Sequence, residues 1–581
     1  MLQASKRGPF LSYRLLIVLS LASSLARAAA ATTSHNIDVE SDGNNKTNGT
    51  ATVPGLFGQD VDDSTLADSY HQGSLRGSLL LINGRILTMD DHGTVVSVLA
   101  IHDGEIVYVG NSRGRLTVPG LIDCHNHIVL LGNRPGYHTP LEYAASIPDV
   151  MATYRRRAAS VPKDGSFITT IGGFDPIQFR EGRLPTLAEL DAAVPDHPVF
   201  LSVGFAGPAA TNTLGRAFFT SVVPNTNIAT ANGSITQGDR NGAALLALRQ
   251  RFLSPIQRQH SAEAAMAYAA SVGSTTHLDQ GAFPATGTTA DGSGNEDLYT
   301  FHEPFLATYK AGMGKVRLRV NFLSMDSNDS SSSALAERLR NTFPFFGNSM
   351  MRTGSVGEFI VLEYDGGPVF EAAARRVAAA GWRLEVHSLT AQDYQNQITA
   401  FEAINASGSP ITALRWVIAH VPLITRDWLR RLRALGGGVN LSGWRYLSPA
   451  SQFVGGPPAG PPWRDVLHSG IHAGGGGDGA NIAPLSPWPH IYYATTGRNA
   501  RGDLINPNQT ITRMEALELY TRRNTWFLGG PDEDLLGILQ VGRLGDVAVL
   551  SHDLFAVPDE QVKNITSVLT VVGGVVVHEA L

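Results

Sequence analysis

The chain has 581 residues, 43% of them hydrophobic and 17% charged, with a formal net charge of −6 at pH 7. That length exceeds one ordinary compact domain and fits a large barrel with an accessory domain around a sizeable core. The mild charge and the lack of a long basic run argue against nucleic acid as a partner, and a single cysteine, Cys124, rules out an intrachain disulfide.

At the N-terminus, Lys6, Arg7 and Arg14 precede the apolar run LLIVLSLASSLA (15–26) and the small-x-small site Ala26-Arg27-Ala28. This is a secretory signal pattern over residues 1–28. The alternative, a signal anchor, is disfavoured because the apolar run is shorter than the roughly 20 residues a membrane span needs. No later segment is long and apolar enough to span, so a secreted protein without a stable membrane span is expected. Sequons at Asn45, Asn48, Asn232, Asn328, Asn405, Asn440, Asn508 and Asn564 agree with a glycoprotein on that route. Residues 29–75, rich in Ser, Thr, Asn, Gly and Asp, read as a disordered mature N-terminus.

Strand patterns begin at SLLLINGRILTMD (78–90), and VVSVLAIHDGEIVYVG (95–110) reads as a hairpin with a DG turn. At the far end, GDVAVLSHDL (545–554) and ITSVLTVVGGVVVHEA (565–580) repeat that character around a GG turn. The two ends predict one small β-sandwich-like domain from residues 76–117 and 540–581, enclosing a larger domain over 118–539.

The middle alternates short apolar runs with helical patterns such as PVFEAAARRVAAAG (368–381) and TRMEALELYTRR (512–523). Such alternation implies a parallel α/β sheet. Candidate strands are 121–129, 166–174, 274–281, 358–366, 383–388, 414–421, 437–443 and 471–479. Eight of them fit a (β/α)8 TIM barrel with an insertion after the second strand, about 180–255.

The first of these strands carries VPGLIDCHNHIVLLG (118–132). Alternation puts His125 and His127 on one strand face, and two neutral imidazoles can hold a cation such as Zn²⁺. A bare His-x-His pair is weak, since two solvated histidines at a strand end read the same way. The later strands change the balance. His387, His420 and Asp478 end the fifth, sixth and eighth candidates, and in a parallel barrel all these ends meet at one face. Bound metal would make hydroxide available near neutrality, and Asp478 can take the water's proton and pass it to a leaving group. The glycines at 474–477 read either as close backbone approach or as a flexible loop. Cys124 is out of phase with the histidines and reads as a small buried hydrophobe. Trp444, Trp463 and Trp488 lie in the loops after strands seven and eight; they read equally as a substrate-binding wall or as packed anchors.

VPGLIDCHNH resembles the PG-[FL]-[IV]-D-x-H-x-H signature of the amidohydrolase superfamily, and HAGGGGDG (472–479) resembles the strand that supplies its aspartate. LPTLAELDAAVPDHPVFL (184–201), INPNQTITRMEALELYTRRNTWFLG (505–529) and LQVGRLGDVAVLSHD (539–553) look like the amidohydrolase 3 group in particular. The resemblance covers roughly 78–581 and implies a metal-dependent hydrolase cleaving non-peptide C–N bonds, amides or cyclic amides, of a small-molecule substrate. It implies His125, His127, His387 and His420 as ligands and Asp478 as ligand and proton shuttle, and it is compatible with a homo-oligomer.

Two departures stand out. The group usually has a lysine four residues before an Asp-Gly pair on strand four, able as a carbamate to bridge two metals; before Asp365-Gly366 that position is Val361. Glu363, on the same strand face, reads either as a substitute bridge or as an ordinary strand-end carboxylate. One divalent metal, zinc by ligand chemistry, is therefore the simpler expectation, and two require a bridge. Second, only NSRGRLT (111–117) precedes VPG, where the family usually has another small-domain strand; either the chain lacks it or the gene sequence is clipped. The rival readings are a secreted non-catalytic relative, or deamination, decarboxylation, lactone hydrolysis or isomerisation on the same site.

Overall fold

The computed structural model describes residues 17–18 and 79–580, apart from 83, 111–114, 224–226, 283–297 and 454–457. Residues 17–18 aside, the expected signal peptide and the 29–75 segment, with Asn45 and Asn48, lie outside the described residues.

Eight parallel strands surround the centre. They are β1 (Leu121–Asn126), β2 (Ser274–Asp279), β3 (Arg317–Phe322), β4 (Met351–Val356), β5 (Glu385–Ser388), β6 (Val417–His420), β7 (Gly438–Ser442) and β8 (His472–Gly476). They form two four-stranded sheets in sequence order, β1 to β4 and β5 to β8. One seam is joined by a parallel bridge between Val356 and Leu384. At the other, the Asp478 amide donates to the His125 carbonyl (2.8 Å) and the His127 amide to the Gly479 carbonyl. The result is a TIM-barrel-like α/β fold built as two half-sheets, rather than one continuous ladder.

Two expected barrel strands are corrected. The run 166–174 contributes Ile168–Ile171 to a separate five-stranded sheet with Val199–Ser202, Ala209–Thr211, Ser234–Ile235 and Tyr137–His138. The insertion therefore begins by about 137, before the expected second strand, and has its own apolar cluster that includes Ile147, Val150, Tyr154, Ile168, Leu190 and Leu201. The run 358–366 is not a strand; it follows β4 as bends and turns. The strands missed are β3 (RLRVNF) and β4 (MRTGSV). In β3 both Arg317 and Arg319 are buried and bound in pairs, to Asp546 and Asp532, so charge hides a central strand.

The chain ends meet. Val547–Leu550 pairs antiparallel with Leu116–Pro119 and with Ser567–Val572. Leu79–Leu81, Val98–His102 and Glu105–Gly110 form a neighbouring sheet. Leu79, Leu99, Ile101, Val547, Leu569 and Val571 share one cluster between them. Asp103 and Gly104 (φ 50° and 88°) make the hairpin turn with both residues left-handed, as a type I′ connection requires. Among the described residues no helix is long and apolar enough to cross a membrane.

Candidate metal centre

The strand ends bring together four histidines and two carboxylates. His125 and His127 come from the end of β1, His387 from β5, His420 from β6, and Asp478 from just beyond β8. The sixth group is Glu358, two residues past β4. His125, His127, Glu358, His420 and Asp478 are all buried, and His387 is partly buried.

Glu358 lies in the middle. Its Oε1 is 2.8 Å from His420 Nε2 and contacts His387 Nδ1; its Oε2 is 3.2 Å from His127 Nε2. Asp478 Oδ1 is 3.4 Å from His127 Nε2 and 3.8 Å from His125 Nε2. Three overlapping ligand sets result: His125, His127 and Glu358; His125, His420 and Asp478; and Glu358, His387 and His420. Within each set the donor atoms lie within 4.8 Å of one another.

The ring orientations fit a cation. His125 Nδ1 is 2.6 Å from Glu385 Oε1 and His127 Nδ1 is 2.7 Å from the Gly281 carbonyl. The Gly281 carbonyl can only accept, so His127 Nδ1 carries a proton, and the Glu385 carboxylate orients the His125 ring in the same sense; both Nε2 atoms therefore face the cluster. His125 Nε2 is buried without a hydrogen-bond partner, 3.8–3.9 Å from Asp478 Oδ1 and Glu358 Oε2. That spacing is too long for a hydrogen bond and close to the roughly 3.3 Å between donors of a tetrahedral Zn²⁺ with ligand bonds near 2 Å. Burial opposes a charge on His125, yet Glu385, Glu358 and Asp478 push its pKa up to about 9. Burial likewise opposes ionisation of Glu358, but His387, His127 and His420 hold it well below the usual carboxylate range. The pocket is set to hold positive charge.

The glycine run before Asp478 is a packing device. A Cβ on Gly476 would stand 2.5 Å from the His125 Cβ, and one on Gly474 would stand 2.7 Å from Cys124 Sγ. Cys124 is buried and receives a hydrogen bond from Asn440 Nδ2 at 2.9 Å.

The other expected site residues separate. Glu363 is exposed on the loop after β4 and stands outside the cluster, because 358–366 is not a strand; Glu358, five residues earlier, lies inside it. Trp463 and Trp488 are buried, and Trp488 Nε1 donates to the Val272 carbonyl at 2.9 Å, so these two are packed anchors. Trp444 is half-buried beside a cavity. Among the sequons, Asn232, Asn328, Asn508 and Asn564 are exposed and Asn405 is half-buried. Asn440 is a correction: it lies fully buried on β7, where no glycan fits. Glu358 and Glu385 were missed by sequence reasoning. Both lie at or next to a strand end, so placing β4 correctly would have pointed to Glu358.

Fold and cluster together define a barrel-like α/β protein with a buried His/carboxylate centre at the strand ends. The model of the Amidohydrolase family matches residues 109–578, so the chain belongs to that family, and it is a hydrolase of small molecules by that membership. N-substituted formamide deformylase of Arthrobacter pascens is 22% identical over 565 residues, covering 86% of this chain and 98% of the relative. Among solved structures, an uncharacterized metal-dependent hydrolase from Pyrococcus horikoshii superposes with a TM-score of 0.51 at 17% identity, covering 83% of this chain and 99% of that one. A second, from Pyrococcus furiosus, gives 0.50 at 18% identity, covering 82% and 99%.

Proposed function

We propose that the protein is a metal-dependent hydrolase cleaving a non-peptide C–N bond, an amide or cyclic amide. The observation that carries this reading is the buried His125 Nε2, which has no hydrogen-bond partner and faces the carboxylates of Glu358 and Asp478. The deformylase activity named for the Arthrobacter relative supports N-formyl and N-acyl amines as the first substrates to test. Secretion and glycosylation are part of the same proposal, supported by the N-terminal signal pattern and the exposed sequons.

His125, His127 and Asp478 would hold one divalent cation, and His387 and His420 a second, with Glu358 between them. The expectation of one metal rested on the lack of an anionic residue at the end of strand four, and Glu358 supplies that residue. Imidazole and carboxylate donors suit Zn²⁺. A bound cation would supply Lewis acidity and a water ionising near neutrality. The chain's own groups do the rest. Burial opposes a charge on Asp478, but His420 and His127 keep its pKa lowered, so the carboxylate stands ready to accept a proton. It can hand that proton to the leaving nitrogen. Glu385 and the Gly281 carbonyl fix the rings of His125 and His127.

The test is hydrolysis of N-formyl and N-acyl amines by metal-stripped and zinc-reloaded protein. Metal analysis approaching two per chain, with activity returning on reloading, is the expected result. A chain that binds no metal at neutral pH would overturn the reading.

A further inference from the structure

Beyond β7 and β8 the barrel meets its insertion. Gly173 donates its amide to the Asn481 carbonyl at 3.0 Å, and Phe205 donates its amide to Asn481 Oδ1 at 3.3 Å. Asn481 follows Asp478 by three residues, so the insertion is clamped directly to the loop that carries the proposed proton shuttle. Gly172 makes the approach close: with φ +72°, a Cβ there would lie 2.4 Å from the Asn481 carbonyl oxygen.

A cavity of about 250 Å³ opens at this junction. Phe174, Val203, Trp444, Leu447 and Ile482 make its apolar walls. Val203 and Trp444 are half-exposed and Ile482 is 49% exposed, so the cavity presents apolar surface to solvent, and Asn481 and Ile482 of its lining belong to the loop that follows Asp478. Its acidic member is Asp175. Asp175 caps the short helix Pro176–Gln178, accepting the Ile177 amide at 2.8 Å, and makes no ion pair with Arg or Lys among the described residues, which leaves acceptor capacity on its carboxylate. Burial pushes its pKa up, although the Ile177 amide pulls the other way.

We propose that this cavity is the subsite for the nitrogen substituent of the substrate, selecting a ring-sized apolar group with an ammonium or N–H donor at its far end. The proposal rests on the hydrolase reading above for its substrate class. The apolar walls remove the ring from water, and Asp175 supplies the acceptor for a charge-assisted hydrogen bond. The insertion thereby becomes the specificity element: of the cavity's residues, Phe174, Asp175 and Val203 come from it, and Trp444 comes from the barrel.

The experiment compares three formamides on zinc-loaded protein: N-methylformamide, N-cyclohexylformamide and mono-N-formylated diaminocyclohexane. Trp444→Ala should lower the cyclohexyl-to-methyl ratio of kcat/KM about tenfold, the scale expected for losing one apolar wall. Asp175→Asn should lower the ratio of the ammonium-bearing to the plain cyclohexyl substrate about tenfold, the scale of a charged hydrogen bond. Ratios that stay within about twofold in both variants overturn the subsite. If wild-type protein hydrolyses none of the three, it is the reaction that fails. The subsite is then judged by calorimetry with diaminocyclohexane and cyclohexylamine as probes. Tighter binding of the diamine, lost in Asp175→Asn, keeps it; equal binding of the two amines to wild-type protein removes it.

Discussion

Glu358 and Glu363 lie on the same loop and have opposite environments: the first is buried among histidines, the second is in solvent. The sequence points to Glu363 because a strand drawn over 358–366 puts it on the face of Val361, and backbone geometry reverses that choice. The two residues therefore make a matched test. Glu358→Gln should remove about half of the bound zinc by elemental analysis, since an amide is a poor anionic bridge; Glu363→Gln should leave the metal content unchanged. Asp478→Asn preserves volume but cannot accept a proton. Its rate per bound metal should fall roughly 100-fold or more, with the circular dichroism spectrum retained. Turnover surviving that change would show that Asp478 is not the proton shuttle. Glu385 acts one layer out. Glu385→Gln should weaken zinc affinity about 10- to 100-fold through the ring of His125, measured by competition with a chelator.

At the scale of elements, β1, β2, β5, β6, β7 and β8 are legible as short runs that lead to a polar strand end. β3 and β4 are not. RLRVNF alternates arginines with apolar residues, which reads as a half-exposed strand or a surface loop, whereas both guanidinium groups are buried. What makes that burial tolerable is the pairing of Arg317 with Asp546 at 2.7 and 2.8 Å and of Arg319 with Asp532. Both acids come from the C-terminal end of the chain, hundreds of residues away, so no local pattern announces them. The apolar run 166–174 misleads for the opposite reason: an insertion sheet buried on both faces has the same local pattern as a barrel strand. Burial opposes a charge on Asp532, but Arg319, Arg352 and Arg317 hold its pKa lowered. A depressed carboxylate stabilises the fold above its unfolded pKa of about 3.9, and that contribution is lost as acid takes the pH down through the folded value. Asp532→Ala leaves Arg319 buried without its main partner and should cost about 3–5 kcal/mol at neutral pH in denaturant unfolding. A cost below about 1 kcal/mol would mean that water reaches the pair.

Across the whole molecule, Glu142 ties the insertion to the loop beyond Asp478. Its carboxylate accepts the amides of Leu485 and Ser486, the latter at 2.9 Å, and the hydroxyl of Tyr268 on the helix Pro255–Ser271. One buried acid thus joins three parts of the chain. Burial pushes its pKa up to about 7, although Tyr268 and the two amides pull the other way. A carboxyl raised above its unfolded value of about 4.3 adds stability that is full below that value and lost as pH rises through about 7. The window is therefore pH 4.3 to about 7, and the sign is loss on going up. Glu142→Gln keeps one acceptor oxygen, enough for one of the two amides, and removes the titration, so its unfolding free energy, though lower, should be flatter across that window than that of the wild type. Urea unfolding at steps from about pH 5 to pH 8 measures the difference. Parallel profiles for the two proteins would show that Glu142 is ionised throughout, and the loop beside Asp478 would then be held by a permanent charge rather than by a titrating one.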